Sequence, residues 1–149
     1  MSTSTPSRRE VRSLIFHLLY AAESNEYAVP LESIIENFRQ GFDPEFAVEI
    51  DDEVIESAQA ILEKKEELNE LLMPFLSNWR IDRIGCCTRL ILYIALWEMY
   101  YTATPHKVII NEAIELAKCF AEKDAYKFIN GILDEVTKKN AESTGKAVE

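Results

Sequence analysis

Arg8, Arg9 and Arg12 open the chain's first patterned segment, and Phe16 and Tyr20 follow at helical spacing. Guanidinium groups neutralise phosphates, and aromatic faces stack on unpaired bases, so this combination suits single-stranded RNA. With 100° per residue from Val11, the apolar residues Val11, Leu14, Ile15, Leu18 and Leu19 cover roughly 300° through zero to 80°. Arg9, Arg12, Ser13, Phe16 and Tyr20 share the adjoining band, roughly 100° to 200°. The plainer alternative makes Phe16 a core residue and the arginines a solubilising helix start. A second place lies at KDAYKF, residues 123–128. Asp124 can cap a last helix and leave Tyr126, Lys127 and Phe128 in its first turns. The unpaired N–H groups and partial positive charge of a helix start attract phosphate. Phe128 can stack on a base or pack inward with Ile129 and Leu133.

Other chemistries lack their residues. His17 and His106 stand on separate segments, and no Gly-rich phosphate loop or HExxH pairing occurs. Glu112 and Glu115, with Lys118 three further on, share a helix face; a solvated face with an ion pair is preferred there over a metal site. Cys86, Cys87 and Cys119 are odd in number and lack CxxC spacing, which fits buried thiols in a reducing cytosol. No enzyme, metal or cofactor is expected.

The elements that must position these residues are helical throughout. The 149 residues, 48% hydrophobic with 4 Gly and 5 Pro, suit one globular domain. No apolar run approaches the roughly 18 residues of a membrane span, and no secretory signal is apparent. Ser7 with Glu10 matches a capping box for the first helix. A second helix starts near Pro30 and stops at Gly41. From Asp43-Pro44 to Phe75 the rhythm fits one long helix or two meeting near Asp51-Asp52. A nearly all-apolar central helix spans about 82–101 and is broken by Thr104-Pro105. Helices at 108–120 and from Asp124 to about Lys138 complete an all-α domain of six or seven helices over residues 1–140, followed by a polar tail at 141–149 expected to be disordered. The net charge of −10 argues against nucleic acid, but its distribution does not. Residues 23–70 hold 15 acids and 3 bases, whereas the two ends are near neutral or basic.

KVIINEAIELAKCF (107–120) followed by EKDAYKFINGILDEV (122–136) resembles the C-terminal signature of the NusB family of transcription antitermination factors. RIGCCTRLILYIALWE (83–98) looks like that family's central helix, and RREVRSLIFHLLY (8–20) like its arginine-rich first helix. The resemblance implies a pair of packed helical bundles. It implies binding of single-stranded boxA RNA in leader transcripts, chiefly ribosomal, together with the small-subunit ribosomal protein NusE. That pair joins other Nus factors on RNA polymerase in the bacterial cytoplasm. RNA-facing residues carry over to Arg8, Arg9, Arg12 and Tyr20, and to Asp124, Lys127 and Phe128. Partner-facing residues carry over to Asp82, Arg83 and Glu98. Some members self-associate through the partner surface, so a homodimer is also implied. In some proteins an RNA methyltransferase domain follows a NusB-like domain; none is expected here. Glu10 interrupts the basic start, and segment 23–70 matches only in helical character. A helical protein-interaction adaptor or homodimer without RNA contacts is the alternative, and the acidic balance favours it.

Overall fold

The computed structural model describes residues 7–40, 50–76 and 83–144. Among the described residues the chain forms seven α-helices and no strand, in two compact units, 1–63 and 64–149.

The first unit holds α1 (Arg8–Ser24), α2 (Leu31–Gln40) and α3 (Asp52–Glu63). Ser7 caps α1 as its sequence requires: its backbone is extended, and its hydroxyl accepts the Glu10 N–H at 3.1 Å. No glycine ends α1. Glu26 and Tyr27 take left-handed φ values of 52° and 61°, and the Tyr27 N–H returns to the Ala22 carbonyl at 2.9 Å. Pro30 then fixes the entry to α2, its carbonyl accepting the Ser33 and Ile34 N–H groups. Asp51 caps α3 through its side chain, which accepts the Val54 N–H at 3.1 Å. Both α2 and α3 pack on α1. The core includes Ile15, Leu18 and Leu19 of α1, Ile34 and Ile35 of α2, and Val54, Ala58 and Ile61 of α3. The expected stop at Gly41 and start at Asp43-Pro44 lie outside the described residues.

The second unit holds α4 (Lys65–Leu72), a 3₁₀ turn at Met73–Phe75, α5 (Cys86–Tyr101), α6 (His106–Phe120) and α7 (Ala125–Thr144). In the described part of the stretch to Phe75, a helix starts at Asp52, and a further break falls at Lys64, where none was expected. The sequence marks α5 as central because it is apolar nearly all round. Ten of its sixteen residues are buried, and α4, α6 and α7 all pack on it. Thr102 ends α5, its hydroxyl donating to the Glu98 carbonyl at 2.7 Å. The last helix continues past the expected Lys138 to Thr144. Residues 139–144 contain neither Gly nor Pro, and the extension is anchored. The Lys139 ammonium lies 5.3 Å from the Phe75 ring centre, and the Tyr100 hydroxyl donates to Asn140 Oδ1 at 3.2 Å.

Candidate functional site

The residues expected to face RNA fall in both units. On α1, Arg8 and Arg9 are exposed and Tyr20 is 45% exposed. Arg9 and Tyr20 are eleven residues apart, three turns and about 16 Å along one helix face. Arg8 is already engaged: one of its guanidinium nitrogens bonds the Glu53 carboxylate on α3. Arg12 and Phe16, expected on the same open band, are buried at 4% and 2% exposure. The plainer reading of Phe16 as core is the observed one. Its ring nevertheless carries Tyr20, which stacks on it with centroids 6.2 Å apart and planes 26° apart. Arg12 sits at the edge of the apolar stripe, where a long aliphatic stem packs readily. The solvent-facing band of α1 is therefore narrower than the periodicity implies.

In the second unit the turn into α7 has a specific backbone. The Ala125 N–H bonds the Glu122 carbonyl at 3.0 Å, and Asp124 takes a φ of 69°. A type II turn needs positive φ at that third position. Asp124 thus precedes α7 in a left-handed conformation instead of the extended one usual for a cap. Its carbonyl accepts the Lys127 N–H at 3.1 Å, and its carboxylate lies 3.6 Å from the Lys127 ammonium. Both side chains remain more than half exposed. Tyr126 is half-buried, with the Lys118 and Lys127 ammoniums 5.1 and 5.9 Å from its ring centre.

Phe128 is half-buried and lines a pocket of about 230 Å³ with Arg83, Thr88, Glu122, Lys123 and Asp124. Arg83, expected to meet a protein partner, therefore shares a pocket with two residues expected to meet RNA. Glu98, expected on the same partner surface, is buried at 5% exposure on α5. The helix is covered on nearly every side, so Glu98 has no open face there. Asp82 lies outside the described residues.

The pocket also contains residues that sequence reading passed over. The Thr88 hydroxyl, on a residue only 2% exposed, donates to Glu122 Oε1 at 3.0 Å. A Cβ at Gly85 would stand 2.6 and 2.8 Å from the Glu122 carboxylate oxygens. Gly85 thus leaves the space that the carboxylate occupies. The Cys87 thiol is pushed to a higher pKa by burial and, secondarily, by the Glu122 charge. Residues 85–88 and 122 are far apart in sequence, and only tertiary packing joins them. Among the described residues no group of three or more His, Cys, Asp or Glu is arranged to hold a metal. No helix among them is long and apolar enough to cross a membrane.

Residues 9–138 match the model of the NusB family. The chain is 36% identical over 135 residues to a protein of Macrococcus caseolyticus named transcription antitermination protein NusB, covering 91% of this chain and 99% of that protein. A protein of the same name from Campylobacter curvus is 40% identical over 130 residues, covering 86% and 94% respectively. Among solved structures, NusB of T. maritima superposes with a TM-score of 0.75 at 29% identity, covering 92% of this chain and 94% of that one.

Proposed function

The chain belongs to the NusB family, and from that premise we propose that it is an RNA-binding antitermination factor whose target is single-stranded boxA RNA. The curated relatives are named transcription antitermination proteins, and the family is not one of enzymes. The protein pairs with ribosomal protein NusE and acts with other Nus factors on RNA polymerase, in the cytoplasm. Its mechanism is assembly: two modest RNA-binding surfaces act as one when the proteins pair, because the second contact becomes intramolecular.

The observation that carries this reading is the reach of the family match. It runs from residue 9 to residue 138 and so takes in both the exposed face of α1 and the turn into α7. Arg9 contacts phosphate, with Arg8 available once it leaves Glu53. Tyr20 stacks on a base. Asp124, Lys127 and Phe128 form the second contact group, Lys127 on phosphate and Asp124 on base donors. Arg12 supports α1 from within. Arg83 belongs with the RNA-facing pocket as much as with a partner surface, and a homodimer through the partner surface remains the competing assembly.

A salt series of binding to a boxA oligonucleotide, with and without NusE, tests the reading. Affinity should fall with salt at a logarithmic slope of about −0.7 per phosphate contacted, and NusE should tighten binding at every salt concentration. Equal affinity for a scrambled strand would remove boxA as the specific target, and NusE binding with no RNA bound at any salt would favour the adaptor without RNA contacts.

A further inference from the structure

We infer that the pocket beside α5 and α7 takes a guanine base from the bound strand, and that Glu122 selects it. The inference rests on the RNA-binding reading above and specifies what one of its surfaces accepts.

The pocket, at about 230 Å³, is smaller than the roughly 300–1,000 Å³ typical of drug-sized ligand sites. A single planar ring system suits it. Phe128 supplies an aromatic wall for stacking. The Glu122 carboxylate is not a loose surface charge, because buried Thr88 holds one oxygen at 3.0 Å and Gly85 leaves room for both. An ionised carboxylate only accepts hydrogen bonds, and each oxygen keeps lone pairs after one bond is made. The preferred guest therefore presents adjacent donors. Guanine does so, its ring N1–H and exocyclic amino group lying side by side like the two oxygens of a carboxylate. Adenine and cytosine set one amino group beside a ring acceptor. Uracil flanks its single N–H with two carbonyl oxygens, which a carboxylate repels. Arg83 and Lys123 on the same rim offset the two acidic side chains, so the strand's phosphates are not turned away.

The test uses the full chain and uridine strands carrying one guanosine, adenosine or inosine, titrated by fluorescence anisotropy. Uridine is the background because it offers no amino donor; inosine keeps the N1–H and lacks the amino group. The guanosine strand should bind about tenfold tighter than the other two, within the range of a good bidentate base contact. Glu122→Gln should erase that preference while leaving affinity for the adenosine strand within about twofold, since the stacking and phosphate contacts persist. Gly85→Ala should erase it too without changing charge. Its φ of −57° and ψ of 147° suit alanine, but the added methyl group takes the carboxylate's place. Melting temperatures check that both variants fold, and Glu122→Gln decides alone if Gly85→Ala does not. Equal binding of the guanosine and inosine strands, or a preference that survives Glu122→Gln, overturns the assignment of Glu122. A boxA oligonucleotide run alongside separates the two readings: binding of boxA with no measurable affinity for the guanosine strand overturns the guanine assignment, and failure to bind boxA as well overturns the RNA-binding reading itself.

Discussion

One guanidinium nitrogen of Arg8 on α1 bonds both carboxylate oxygens of Glu53 on α3. The leading cation of the basic helix start is thus shared with the acidic stretch that dominates the chain's charge. Both side chains are well exposed, so the pair contributes little to stability, of order 0–1 kcal/mol. Its larger effect is on what Arg8 can bind. Glu53→Gln should free Arg8 for phosphate, tighten single-stranded RNA binding and steepen the logarithmic salt slope by about 0.7, one contact's worth. Unchanged affinity together with an unchanged slope would mean that Arg8 makes no phosphate contact.

The three α1 residues Arg9, Arg12 and Tyr20 should separate by phenotype. Arg9→Ala should weaken RNA binding and flatten the salt slope with no change in melting temperature. Tyr20→Ala should cost about 1–3 kcal/mol of RNA affinity if its exposed ring carries a base. Arg12→Ala should instead lower fold stability by about 1–3 kcal/mol, because it empties a buried position. Denaturation and binding measured on the same three variants check this division.

Asp124 provides a backbone test. Its φ of 69° is tolerated by Asp and Gly but costs a β-branched residue about 1–2 kcal/mol. Asp124→Val should lower stability by that amount, whereas Asp124→Gly should stay within about 1 kcal/mol of the parent. Both remove the carboxylate, so an RNA effect shared by the two belongs to the side chain and not to the turn.

His17 gives the fold a pH dependence. Burial lowers its pKa below the ordinary value of about 6.5. The folded state therefore binds the proton less readily than the unfolded chain does. The stabilising effect of neutral His17 is complete above about pH 6.5 and is lost as pH falls toward and through the lowered folded value. Urea midpoints measured from about pH 7.5 to about pH 5.5 should fall less in His17→Gln than in the parent. Parallel curves would remove His17 as the cause.

Helical character, the Ser7 cap, the break at Thr104-Pro105 and the burial of α5 were all legible in local pattern, because each depends on residues within a few positions of one another. Arg12 and Phe16 show where that reading stops. On the helical wheel they lie at roughly 100° and 140° from Val11, beyond the apolar stripe, yet both are buried. Two helices pack on α1, and the width of a buried arc is set by such neighbours, which periodicity does not reveal. Glu98 came from the family resemblance and not from periodicity, and α5 buries it. The left-handed Asp124 had no local signal beyond its residue type, and the Glu122–Thr88 contact joins positions 34 apart.

The pocket has two unlike sides. One is the first turn of α5, where Thr88 is buried in a helix with ten of its sixteen residues buried. The other is the exposed turn from Glu122 to Asp124, tied to α5 through the Thr88–Glu122 hydrogen bond. Exposed positions tolerate substitution more readily than buried ones. Evolutionary drift in what the pocket accepts should therefore accumulate at residues 122–124 before it reaches residues 85–88.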